Sequence, residues 1–206
     1  MPRDKRRRKN VQRPGTNSRS ASSRERQKPI GKVLLAVIGI TMVIGFVYYS
    51  QSTGSNYPQN IAGVTYPNPS VSPGGAKVSL PSSFVSEKKL VFFDLKLKNQ
   101  TGTLTYLGRT IPLSAYRNGE YLPLIVISTP TQKVFTGIRV CEPCGSFSFH
   151  AVDGKYLVCD ACGTRWDLET MMGVSGGCVN FPPPRLSAQT GSNVDIDLTS
   201  IGLNIA

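Results

Sequence analysis

The sequence predicts a mainly β protein. It would have one N-terminal transmembrane helix, a linker, and a small β-rich extracytoplasmic domain with an embedded four-cysteine ribbon of zinc-ribbon or rubredoxin type. Three observations predict this. Residues 33–49 form a seventeen-residue run without charge. Several runs after residue 77 are rich in β-branched and aromatic residues, with short apolar–polar alternations. Four of the five cysteines fall within residues 141–162 as two Cys-x-x-Cys pairs, with fourteen residues between them.

The first element is a basic tail. The chain's formal charge is +12, but residues 1–32 hold twelve Lys/Arg and two Asp/Glu, so most of the charge sits there. Residues 1–29 have too few apolar side chains to bury a core and are expected to be a disordered cytoplasmic tail. A like-charge block of this kind can bind RNA. The apolar run that follows favours a membrane instead, and no nucleic-acid partner is expected.

That run, VLLAVIGITMVIGFVYY, spans about 25 Å as a helix. Taken over residues 30–49, with Lys32 snorkelling, it reaches across a hydrocarbon core of roughly 30 Å. Tyr48 and Tyr49 suit an interfacial belt, and the Lys/Arg excess before the run puts the N-terminus in the cytoplasm. A cleaved signal peptide is the competing reading. The run is long for one, and no Ala-x-Ala site follows it. The expectation is therefore a single-pass cell-membrane protein, with the lipid bilayer as partner of residues 30–49 and the rest of the chain outside the cytoplasm.

Residues 50–76 carry no charge before Lys77 and are dense in Ser, Asn, Pro and Gly, which predicts a flexible linker. The β-rich domain is expected over residues 77–206. Residues 90–97 alternate Phe93, Leu95 and Leu97 against Asp94 and Lys96, a half-buried strand. Residues 103–107, 121–128 and 133–140 predict further strands, and residues 193–198 (NVDIDL) a last one. Asn118-Gly119 signals a turn. Pro112, Pro123 and Pro130 demote their strands to edges or shorten them. Residues 167–172 offer one helical turn, and no long amphipathic helix is evident.

Each cysteine pair is followed by glycine, Gly145 and Gly163, which permits the positive φ that curls a backbone around a metal. Between the pairs lies a hairpin with its turn at Asp153-Gly154. A hairpin brings its ends together, so Cys141, Cys144, Cys159 and Cys162 would converge on one Zn2+ or iron. Two disulfides are the alternative, since oxidising compartments favour them. A bridge inside Cys-x-x-Cys closes a very short loop, however, and tends to be reactive rather than structural. A thioredoxin-like reading wants one such pair opening a helix. Rieske, facial-triad and copper sites need more than the single His150, which reads as a packing or surface residue. Cys178, in Gly176-Gly177-Cys178, is open: a fifth thiolate, a replacement ligand, half of an intermolecular disulfide, or an inert buried residue.

Cys141-Glu142-Pro143-Cys144, Cys159-Asp160-Ala161-Cys162 and Gly176-Gly177-Cys178 with prolines after it together resemble the FtrD-like family of membrane iron–sulfur-containing proteins. Gly163-Thr164-Arg165-Trp166-Asp167-Leu168 and Arg109-Thr110-Ile111-Pro112 resemble its single-anchor members, over roughly residues 78–198. The resemblance implies a membrane-anchored, cysteine-ligated metal protein, with an iron–sulfur cluster or iron as cofactor. Some relatives sit in iron-uptake systems and are proposed to pass electrons. They have several membrane segments where this chain has one.

Three functions follow as expectations. The first is an extracytoplasmic metal protein for electron transfer or metal handling, with a redox or transport partner in the membrane. The second is a β binding module with zinc as a structural staple. The third is a thiol–disulfide oxidoreductase. No nucleotide loop, Ser/His/Asp set or carboxylate pair stands out, so no catalytic residue is nominated.

Overall fold

The computed structural model describes residues 39–42 and 57–206. It divides into two units, Met1–Gly54 and Ser55–Ala206. In the first, residues 39–42 are helical and exposed. The anchor expected over 30–49 otherwise lies outside the described residues, as do the tail over 1–29 and linker residues 50–56. Among the described residues, no helix is long and apolar enough to cross a membrane.

The second unit is mainly β. Its strands are β1 (Ile61–Ala62), β2 (Val64–Thr65), β3 (Ser70–Val71), β4 (Lys77–Pro81), β5 (Leu90–Lys96), β6 (Leu104–Tyr106), β7 (Arg109–Ile111) and β8 (Tyr121–Ser128). They continue as β9 (Val134–Ile138), β10 (Phe149–Val152), β11 (Tyr156–Cys159), β12 (Arg165–Asp167), β13 (Gly173–Ser175), β14 (Ala188–Thr190) and β15 (Asn193–Asp197). A short helix, α1 (Ser82–Lys88), follows β4 and ends where Lys89 takes a φ of 65°. The sheets run β2-β5-β8-β9, β14-β15-β4-β3 and β1-β10-β11-β12-β13, with β6-β7 as a separate pair.

The β5–β8 pair is covered on both faces, and its sequence says why. Side chains alternate across a strand. Val91, Phe93, Leu95, Leu122, Leu124 and Val126 join one core with Val78, Leu80, Val194 and Ile196 of the β14-β15-β4-β3 sheet. Their neighbours Leu90, Phe92, Ile125 and Ile127 join a second core with Phe149, Leu157 and Trp166 of the ribbon sheet. A strand buried on both faces must be apolar throughout, as LVFF and LIVI are. A one-residue slip would exchange the two faces, so register is held from both sides.

Several expectations need correction. Residues 57–76 are not simply linker: Tyr57 and Ile61 are buried, β1 pairs with β10, β2 runs parallel to β5, and β3 pairs with β4. The partners of β1 and β2 lie far along the chain, while β3 pairs with the next strand across the Pro-Gly-Gly turn of residues 73–75. Pro123 does not make β8 an edge strand, since β8 pairs with both β5 and β9. Arg139 N–H donates to the Pro123 carbonyl at 2.9 Å, so the missing proline N–H faces the β9 side where that ladder ends. Residues 167–172 form no regular helix, only the single turn closed by Met171 N–H donating to the Asp167 carbonyl at 2.8 Å. Asp167 Oδ1 accepts from the N–H groups of Glu169 and Thr170, making a tight turn between β12 and β13.

Candidate metal centre

The β10–β11 hairpin is where the cysteine spacing puts it. Val152 pairs with Tyr156, and both Asp153 and Gly154 take positive φ at the turn. The hairpin delivers two loops to one place, and the loops share a backbone design. Cys141 N–H donates to the Ser146 carbonyl at 2.8 Å, and Cys159 N–H to the Thr164 carbonyl at 3.0 Å. Gly145 and Gly163 both sit at φ 66°, the left-handed conformation that closes each knuckle.

All five cysteines are free thiols. The sulfurs of Cys141, Cys144, Cys162 and Cys178 all lie within 4.8 Å of one another. Cys159 stands outside that compact four, but its sulfur is 3.6 Å from that of Cys144. Cys141 and Cys162 are 3.9 Å apart across the knuckles. Four thiolates around one ion at a metal–sulfur distance of 2.3 Å have a tetrahedral edge of about 3.8 Å. The 3.6 and 3.9 Å separations are close to that edge. Thiolates on different irons of a cluster stand farther apart than thiolates on one.

Cys141, Cys159 and Cys178 are buried; Cys144 and Cys162 face solvent. Burial and the neighbouring Cys144 thiol push the Cys141 thiol up. Burial also raises Cys144, to about 11, although the Cys141 thiol and the Ser146 N–H pull the other way. For Cys162 burial again opposes ionisation, but it loses. The Thr164 hydroxyl and N–H, with the Cys159 and Cys144 thiols, bring it down to about 6. The thiolate is the ligating form, so Cys162 is ready to bind metal at neutral pH.

Thr164 was not anticipated, and it ties the site together. It is fully buried. Its Oγ1 is 3.2 Å from Cys162 Sγ and accepts the Cys178 N–H at 3.1 Å. Gly176, at φ 106°, lets the fifth cysteine's loop approach this close; a Cβ there would stand 2.5 Å from Thr164 Oγ1. Arg109 and Glu142 were missed as a pair. Arg109 Nε donates to Glu142 Oε2 at 2.8 Å, and the Glu142 side chain is only 9% exposed. Arg109 also stacks on Phe181, three residues past Cys178, so one guanidinium spans the first knuckle and the last cysteine's segment. A signal existed for Glu142, an acid between two cysteines, but none for its partner.

His150 lies at the surface, its Nδ1 against Asp160, which also accepts from Ser148. It is not in the sulfur group, as expected for a surface residue.

No curated protein and no solved structure matches the chain. Residues 109–204 match a family model described as membrane iron-sulfur containing protein FtrD-like. The match begins at Arg109, later than the resemblance read from the sequence, and takes in all five cysteines. The FtrD-like resemblance is thereby shown for residues 109–204.

Proposed function

We propose that this is a membrane-anchored extracytoplasmic protein that holds one thiolate-ligated metal ion, iron in the first reading, and passes electrons to a redox or transport partner. The observation that carries it is the convergence of four sulfurs within 4.8 Å of one another. Bound iron would supply a one-electron couple, which zinc cannot. Cys141, Cys144 and Cys162 would hold it, with Cys178 or Cys159 completing the set. The family's description names iron-sulfur, and five thiols also meet the ligand count of a cluster. The short sulfur separations favour a single ion.

The chain's own groups suit that role. Exposed Cys144 and Cys162 bring the centre to the surface, where a partner can approach. Ser146 and Thr164 N–H groups each face a thiolate, and such hydrogen bonds stabilise the more negative, reduced state. Residues 30–49 would be the bilayer anchor.

A second reading makes the metal a zinc staple. Cys141, Cys159 and Cys178 belong to the second core, so an ion there would also fasten the ribbon to the β5–β8 sheet. Full-length protein purified anaerobically separates the two. Iron with thiolate charge-transfer bands and no acid-labile sulfide supports the first reading. Colourless protein with one zinc supports the second. Reduced protein that binds neither metal removes both.

A further inference from the structure

The centre holds one thiol more than a tetrahedral ion uses. We propose that Cys159 and Cys178 alternate as the fourth thiolate, which makes this an exchange site that can take up and hand on a divalent thiophilic metal ion. The inference rests on the reading of the cysteines as a metal centre.

Two overlapping sets of four share Cys141, Cys144 and Cys162. One closes with Cys178, the member of the compact group. The other closes with Cys159, the partner its Cys-x-x-Cys spacing dictates, 3.6 Å from Cys144 and so about one tetrahedral edge away. Neither candidate has been moved aside. Cys159 is fully buried and Cys178 is 7% exposed, both in the second core. A tetrahedral ion held by the shared three needs only one of them at a time.

Their supports differ in a way that suits exchange. Cys159 ends β11 and is paired with Phe149, so its backbone is fixed by the sheet. Cys178 follows Gly176 and Gly177, and nothing lies within 4 Å of where a Gly177 side chain would project. Its N–H is held by Thr164 Oγ1, which also touches the shared ligand Cys162. In this exchange the Cys178 side chain is the one that turns, on a backbone tethered through its N–H. As the Cys178 thiol binds it gives up its proton, and the departing Cys159 thiolate takes one up. Thiolate number and charge are unchanged, and no oxidant or reductant is needed. An ion leaving for an acceptor can lose one ligand while the spare replaces it.

The test uses full-length reduced protein in detergent, loaded with Co2+, whose absorption bands report thiolate number. Wild type, Cys159→Ser and Cys178→Ser should each show four thiolates, and the double variant three. A single variant that falls to three would name a dedicated fourth ligand and overturn the proposal. Retention of four in both singles could also arise by rescue, so the loaded wild type is labelled with a small alkylating reagent and mapped. Label should divide between Cys159 and Cys178; label confined to one of them overturns exchange. The mapping stands even where a variant fails to fold, which exposure of buried Trp166 would reveal by fluorescence. Wild-type protein without cobalt–thiolate bands would instead overturn the metal-centre reading itself.

Discussion

The two cysteine knuckles share a backbone and differ in what surrounds it. Each closes through a Cys N–H to a carbonyl five residues on, and each carries a glycine at φ 66°. In the first, the residue after glycine is Ser146, whose hydroxyl turns away to accept the Ser148 N–H at 3.2 Å. In the second it is Thr164, whose hydroxyl turns inward to Cys162 and to the Cys178 N–H. The exposed thiol of the first knuckle is pushed up to about 11, and that of the second comes down to about 6. Identical folding of the chain thus sets position, while the groups around each sulfur, with the Thr164 hydroxyl foremost among those that lower Cys162, set how ready it is to bind. The fifth cysteine enters on the side where that hydroxyl points.

The largest expected effect removes the contrast altogether. Cys162→Ala takes a sulfur from both overlapping sets of four, so no spare can restore the count. Changes to groups behind the ligands weaken metal sites by 10–100-fold, and loss of a ligand shared by every arrangement should exceed about a hundredfold. Competition against a chelator of known affinity measures it. Binding within tenfold of wild type would show that Cys162 is not part of the centre.

The next effect measures the contrast directly, in metal-free reduced protein. At pH 7 about nine in ten Cys162 side chains would be thiolate, against about one in ten thousand for Cys144. The lower-pKa thiolate is intrinsically the weaker nucleophile, which returns roughly two of those four powers of ten. Cys162 should therefore be alkylated about a hundredfold faster than Cys144. Its rate should level off above about pH 7 and fall through pH 6, while that of Cys144 keeps rising towards pH 11. Equal rates at pH 7 would refute the asymmetry.

The backbone half of this comparison was legible in the sequence and the other half was not. Two Cys-x-x-Cys-Gly units around an Asp-Gly turn specify a hairpin with two matched knuckles, because each step is local. Thr164 looks like any residue after a glycine until Gly176 brings a distant loop onto it. The same division runs through the fold. LVFFDLK and YLPLIVIS announce their strands because every residue carries the pattern. The two-residue strands β1 and β2 have no pattern of their own and exist only through partners elsewhere. Pro123 misled because the rule concerns the N–H direction, and direction is known only once β9 is placed.

Thr164→Val should produce an intermediate effect. The variant keeps the shape and the backbone N–H but deletes the hydroxyl that serves Cys162. A hydrogen bond to a charged group contributes roughly 1.5–3 kcal/mol, so the pH midpoint of Cys162 alkylation should rise by roughly one to two units. Thr164→Ser restores the hydroxyl and should restore the midpoint. Failure of serine to rescue would mean that Thr164 acts by packing alone.

The smallest effect is expected at the matching position of the first knuckle. Ser146→Ala deletes a hydroxyl that holds the Ser148 N–H and points away from Cys144, while the backbone N–H facing that sulfur remains. Ser148 keeps an alternative anchor in its hydroxyl bond to Asp160, so the loop should hold its course. Cys144 alkylation and metal affinity should therefore stay within about twofold of wild type, since a surface change that removes no buried partner is worth under roughly 0.5 kcal/mol. A loss approaching that of Thr164→Val would mean that the Ser146 hydroxyl swings inward when metal binds. The two knuckles would then be equivalent in the loaded protein, and the asymmetry would belong to the metal-free state alone.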